Sequence, residues 1–212
     1  MEKRTKYPRT FHLPWSPGLR NDDRVLERGT AGWGGREVVV SEKMDGESCT
    51  MYRDGLHARS LDSGAHPSRT HVQAIHGRVA HEIPEDMRVC GENMAAVHSV
   101  RYERLRSYFL VFGVWRGDLC LSWDDTVDWA MLLGLRVVPV IWRGPYSDGK
   151  CRELAAALDT ERQEGLVARP AAAFTMGEFP AVVGKWVRGR HVQTDEHWMR
   201  RPVEYNGLEE GA

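Results

Sequence analysis

Short apolar runs separated by turn residues dominate this chain, and they predict strands more often than helices. Val38-Val39-Val40 anchors a strand over 37–43, and two more follow at 48–53 and 56–60 around a turn at Arg53-Asp54-Gly55. Arg88 to Glu92, Ser107 to Trp115, Val137 to Ile141, Gly165 to Ala168 and Val182 to Val187 also read as extended. A helical pattern surfaces three times. Ser68 is the expected cap of a helix with Val72, Ile75, Val79 and Ile83 on one face. Ser122 and Asp125 form a capping box for a helix to about Leu133, and Arg152 to Leu158 is the third. Pro and Gly crowd residues 1–36, which predicts irregular structure around one short strand. Many short strands with three helices point to an α+β fold of antiparallel sheets flanked by a few helices. The expected organisation is an N-terminal segment (1–36) packed on a core (37–190), then a short tail (191–212) with no separate domain.

Composition narrows the class. With 212 residues, 42% hydrophobic, and eight tryptophans, the chain can bury a substantial core. It has no apolar run of the ~18 residues that would suggest a membrane span, and Met1-Glu2-Lys3-Arg4 leads into polar sequence unlike a signal peptide. Cys49, Cys90, Cys120 and Cys151 are scattered without a Cys-x-x-Cys pair, so reduced thiols and a cytoplasmic location are expected. A formal net charge of −1 gives no global attraction to nucleic acid. Polynucleotide contact would need local clusters such as Lys3-Arg4-Lys6-Arg9, Arg101-Arg104-Arg106, Arg188-Arg190-His191 or Arg200-Arg201; taken singly, each is more often a solvated face than a phosphate track.

The sharpest chemical signal closes the first core strand, where Glu42-Lys43-Met44-Asp45-Gly46 contains Lys-x-Asp-Gly. Of 29 Lys plus Arg, only Lys3, Lys6, Lys43, Lys150 and Lys185 are lysine. Arginine stays charged in proteins, whereas the pKa of lysine falls when it is desolvated or set near other cations. A site that needs a neutral amine must therefore keep lysine. Alone, the pattern also fits a surface lysine beside a turn. Downstream candidates carry the same ambiguity. Phe112 can stack on a base or pack in a core, Glu92 can accept from a ribose or stand in a turn, and Arg59 can return towards Lys43 or stay at the surface. Glu164, ahead of Gly165-Leu166-Val167, can position a divalent cation. Lys185, in Val183-Gly184-Lys185-Trp186-Val187-Arg188, can neutralise a phosphate and, if close to Lys43, lower its pKa.

Together and in this order, these residues resemble the covalent nucleotidyltransferase superfamily, most closely small ATP-dependent RNA ligases of the RNA ligase 2-like group. Glu42-Lys43-Met44-Asp45-Gly46 corresponds to motif I, Phe112-Gly113-Val114-Trp115 to motif III, Glu164-Gly165-Leu166-Val167 to motif IV and Gly184-Lys185-Trp186-Val187-Arg188 to motif V, with Gly91-Glu92-Asn93 between the first two. The resemblance covers about residues 37–190 and implies the ligase adenylyltransferase fold around a nucleotide cleft. It implies that Lys43 attacks the α-phosphate of ATP to form lysyl-AMP, that Phe112 stacks on adenine, and that Glu42 contacts the base. It further implies ribose contacts from Arg59 and Glu92, Mg²⁺ or Mn²⁺ at Glu164 and Glu92, an α-phosphate contact from Lys185, and close nucleotide approach at Gly46. AMP would pass to an RNA 5′-phosphate, and a 3′-hydroxyl would displace it. Arg188, Arg190 and His191 are candidate RNA contacts, and an end-healing protein is a candidate partner; no membrane is involved.

Three departures stand out. Lys185-Trp186-Val187 replaces the Lys-x-Lys of many relatives, Ser48 stands where many carry asparagine, and only about 20 residues follow motif V, too few for an OB-fold or helical clamp. DNA nick sealing, guanylyl transfer and a non-catalytic nucleotide- or RNA-binding module are the alternatives. His12-Leu13-Pro14-Trp15-Ser16-Pro17-Gly18 reads either as a lip over the site or as a structural turn, and His191 to Trp198 suits phosphate contact better than metal.

Overall fold

The computed structural model describes residues 4–19, 23–26, 29–62, 64–189 and 202–211. The expectations placed on Lys3, Arg190, His191 to Trp198, Arg200 and Arg201 fall outside these residues. The strands are β1 (Phe11–His12), β2 (Glu37–Lys43), β3 (Glu47–Tyr52), β4 (Gly55–Ala58), β5 (Met87–Asn93), β6 (Phe109–Arg116), β7 (Leu119–Cys120), β8 (Arg136–Val137), β9 (Val140–Pro145), β10 (Gly165–Pro170), β11 (Phe174–Thr175) and β12 (Gly184–Val187). The α-helices are α1 (Thr70–Val79), α2 (Trp123–Leu132), α3 (Asp148–Ala156) and α4 (Phe179–Val182).

Two sheets form the fold, which is α+β. One runs in the order β1-β12-β10-β2-β9, the other β11-β7-β6-β5-β3-β4 with β8 also paired to β6. The Val38-Val39-Val40 run is explained by this layering. Val38 and Val40 pack with Leu166, Ala168 and the N-terminal Leu13, Leu26 and Trp33, whereas Val39 packs towards Leu110 of the other sheet. A strand covered on both faces carries a continuous apolar run instead of an alternation. Behind the second sheet, Val72, Ile75 and Val79 of α1 pack on Val89, Phe109 and Val114.

The structure corrects several expectations. The sheets are not wholly antiparallel, because β1 joins β12 in parallel and β8 joins β6 in parallel. The second pair is reached through α2, the kind of crossover that parallel strands require. The run Val137 to Ile141 is divided: β8 serves one sheet and β9 the other, and the chain passes between them at Val138-Pro139. Val182 is helical, since Pro180 sits in the first turn of α4, and the strand begins only at Gly184. Ser68 does not cap α1; it lies within a preceding 3₁₀ turn, and its own N–H donates to His66 Nδ1. The third helix starts earlier than expected, at Asp148, because Ser147 Oγ accepts from the Lys150 N–H. The Ser122 cap is as expected: its Oγ accepts from the Asp125 N–H and donates to the Asp125 carboxylate. Cys49, Cys90, Cys120 and Cys151 are buried and unbridged. No helix among the described residues is long and apolar enough to cross a membrane.

One glycine controls how the strands of the first sheet meet. A Cβ on Gly165 would stand 2.0 Å from the Trp186 carbonyl oxygen, so β10 and β12 can pair here only without a side chain. Gly165→Ala is expected to destabilise the protein by ~2–3 kcal/mol through forced strand separation. A thermal melt checks this; an unchanged melting temperature would contradict the packing described.

Candidate active site

Register brings the chemistry together. Lys43 ends β2 opposite Gly165 of β10, which sets the preceding Glu164 beside it. Val167 of β10 pairs with Lys185 of β12, so a second lysine lies one strand further on. The opposite sheet supplies Glu92 from β5 and Phe112 from β6. Phe112 owes its placement to a β-bulge: Cys90 pairs with Gly113 and Gly91 with Val111, which leaves Phe112 without a partner on β5. Bulges re-aim side chains in this way. Lys43, Glu42, Ser48, Arg59, Glu92, Phe112 and Lys185 line one cleft of about 220 Å³.

Glu164 is buried and pairs with Lys43, with Oε2 2.5 Å from Nζ. Burial alone would lower the pKa of Lys43, but Glu164, with Glu92 and Asp45, more than offsets it and holds the amine above its ordinary value. The expected mutual depression of the two lysines therefore shows at Lys185 alone, because at Lys43 the surrounding carboxylates prevail. Lys185 is itself lowered, by burial and by Lys43, against the opposing charges of Asp23 and Glu164. Burial pushes Glu92 up to about 8, reinforced by Glu164 and Asp45 and opposed by Lys43 and the Gly46 N–H. Glu42 is raised by burial, although its carboxylate accepts a 2.9 Å hydrogen bond from Gln163.

The other two residues of the Lys-x-Asp-Gly pattern do not face the cleft. Asp45 Oδ2 accepts from the Ser99 N–H, the Ser99 hydroxyl and the Val100 N–H at 2.7, 2.7 and 2.8 Å. A Cβ on Gly46 would stand 2.5 Å from the Asn93 carbonyl oxygen and 2.9 Å from Met94 Sδ. The close approach that requires glycine is thus to β5, which corrects the expectation that Gly46 makes room for a nucleotide. Arg188 is not among the residues lining the cleft; its guanidinium donates to the Thr160 carbonyl.

Sequence reasoning missed part of the wall. Tyr7, Pro8, Thr10 and Asp23 line the same cleft beside Arg9 of the expected basic cluster, as does the buried Arg169. The Tyr7 ring meets Phe112 edge-on at 4.8 Å. Arg169 donates to the Phe112 and Leu121 carbonyls at 3.2 and 2.7 Å. No local spacing announces these residues, because the contacts join positions far apart in the chain. Among the described residues, no group of three or more His, Cys, Asp or Glu could cage a metal ion. A divalent ion in this cleft would have to take most of its ligands from water and phosphate and few from carboxylates, which is how Mg²⁺ is usually held.

Glu92 gives this site a pH signature. Its carboxyl ionises near 4.5 when unfolded and near about 8 when folded. The stability it contributes is fully present below the lower value and is lost as pH rises through the upper one. The melting temperature of Glu92→Gln relative to the parent, without divalent metal, should therefore increase from about pH 4.5 to about pH 8. A difference that stays flat would contradict the buried placement of Glu92.

A family model describing RNA ligases matches residues 36–187. Three solved structures share the fold. One is an archaeal ATP-dependent RNA ligase (16% identity, TM-score 0.58, 86% of this chain and 48% of that one). Another is a Naegleria gruberi RNA ligase mutant with ATP and Mn (15%, 0.56, 86% and 57%). The third is a chain from Aquifex aeolicus assigned as an ATP-dependent DNA ligase (18%, 0.54, 86% and 49%). This chain thus spans about half the length of the structures it matches. No sequence match is found among curated proteins. The family match extends from the start of β2 to the end of β12 and takes in Lys43, Glu92, Phe112, Glu164 and Lys185, and on this ground the chain belongs to the RNA ligase family.

Proposed function

We propose that the chain is an ATP-dependent RNA ligase that works through a lysyl-AMP intermediate. The observation that carries this reading is the Lys43 amine, 2.5 Å from Glu164 and in one cleft with Lys185, Glu92 and Phe112. In the first step, Nζ of Lys43 attacks the α-phosphorus of ATP. The P–N bond forms as the bond to pyrophosphate breaks, with the electron pair leaving on pyrophosphate. Because the resting amine is held charged, it must first lose a proton, and Glu164 Oε2 is the acceptor this reading assigns. Lys185 neutralises charge building on the α-phosphate. Phe112 stacks on adenine, a contact worth roughly 1–3 kcal/mol. The Glu42 carboxylate accepts from the exocyclic amine that adenine has and guanine lacks at that edge. Arg59 and Glu92 hold the ribose. Glu164 and Glu92 would hold Mg²⁺ or Mn²⁺, which would neutralise charge on the triphosphate.

AMP then passes from Lys43 to the 5′-phosphate of an RNA end, and a 3′-hydroxyl displaces it to join the strands. Ends of other chemistry would need a partner that restores 5′-phosphate and 3′-hydroxyl groups. In this reading the core over 37–190 carries the transfer, and the N-terminal segment is packed on it as part of the site.

The protein incubated with α-labelled ATP and Mg²⁺ should retain label through denaturation, and Lys43→Ala should reduce it by at least ~100-fold. GTP should label poorly. Nicked or single-stranded RNA with a 5′-phosphate should discharge the label and be sealed. Absence of label with either nucleotide would sink the reading, and sealing of DNA but not RNA would overturn the substrate.

A further inference from the structure

The span shared with the family begins at residue 36, yet part of the cleft wall comes from before it. That part is integral to the fold. β1 pairs with β12 so that His12 lies beside Lys185. The His12 N–H donates to the Arg24 carbonyl at 2.7 Å, and the Leu26 N–H to the His12 carbonyl at 2.9 Å. Leu13 and Leu26 are buried in the core of the first sheet. These contacts bring Asp23 to the Lys185 end of the cleft.

Among the described residues, Asp23 stands close to three basic side chains. Its Oδ1 is 3.5 Å from Lys185 Nζ and 3.4 Å from Arg9 Nη2, and its Oδ2 is 3.2 Å from His12 Nε2. The side chains of Lys185 and Asp23 are only 17% and 13% exposed, so this pair is screened far less than a surface one. Burial and the charge of Lys185 push His12 down to about 4. At neutral pH the imidazole therefore carries no charge, while Lys185 and Arg9 face the carboxylate as cations. Lys185 also faces Lys43 and Glu164; burial and Lys43 disfavour its charged form, and Asp23 is the main group acting against them.

We infer that Asp23 is a positioning residue for Lys185: it holds the ammonium ready for the α-phosphate, which makes the N-terminal segment a working part of the nucleotide site. The inference rests on the nucleotidyl-transfer reading above. If Asp23 merely tied the segment to β12, its loss would lower stability and leave the chemistry alone.

Asp23→Asn keeps the size and one acceptor but removes the charge. The rate of lysyl-AMP formation at saturating ATP should fall by about tenfold or more, without loss of the melting transition, and Asp23→Glu should recover part of it. In protein carrying ¹³Cε-lysine, the Lys185 signal is one of only five and can be assigned through Lys185→Arg. Its titration should move to lower pH in Asp23→Asn, because the neighbouring anion is gone. A parental rate in folded Asp23→Asn overturns the inference, and so does an unmoved Lys185 titration. Should the Asn variant not fold, Asp23→Ser is measured in the same way. If the unsubstituted protein forms no lysyl-AMP, the catalytic reading falls and this inference with it, even where the Lys185 titration moves.

Discussion

An ammonium and a carboxylate 2.5 Å apart, at the ends of adjacent strands, organise this molecule. The contact between Lys43 and Glu164 follows from pairing Lys43 with Gly165, and on its other side Gly165 pairs with β12, where the Trp186 carbonyl leaves no space for a side chain. Taking two charges out of water is costly unless geometry and further hydrogen bonds compensate. Here Glu92 and Asp45 also bear on Lys43, so three acids share one amine and one of them, Glu92, is driven towards its neutral form. The resting site thus holds a charged lysine, which is a poor nucleophile. Under the proposed chemistry, the ion pair between Lys43 and Glu164 must be disrupted for the reaction to begin.

The two sheets divide the labour. The five-stranded sheet contributes Lys43, Lys185 and, from the residue preceding β10, Glu164; the seven-stranded sheet contributes Glu92 and Phe112. The turn at Asp45-Gly46 joins them, and the loop that receives Asp45 is itself braced from the C-terminal side. Asn206 Oδ1 accepts from the Tyr102 N–H at 2.8 Å, and its Nδ2 donates to the Met94 and Ala96 carbonyls at 2.8 and 3.2 Å. Residues on both sides of the family span therefore hold the site, those before it at Lys185 and those after it at Asp45.

Strands bearing the chemistry were legible in the sequence because they combine apolar runs with rare polar residues: Lys43 after three valines, Phe112 inside an apolar strand, Lys185 among valines and a tryptophan. What stayed hidden depends on long-range contact. The two-residue strands β7 and β11 are too short to show a period, and the run at Val137 to Ile141 gives no hint that its halves belong to different sheets. Asp45 and Gly46 sit in the motif, but their packing reveals structural tasks, at Gly46 where the resemblance implied a nucleotide contact. Asp23 and Tyr7 had no motif at all, since only the folded chain brings them to Lys185 and Phe112.

The central claim is that the Lys43 amine, and no other group, takes up AMP. Peptide mapping by mass spectrometry after incubation with ATP and Mg²⁺ tests it most directly. The account predicts one AMP on the peptide containing Lys43, held by a bond that is lost in acid and survives alkali, as a phosphoramidate should. An adduct on another residue, or none in a protein that binds ATP, would contradict it.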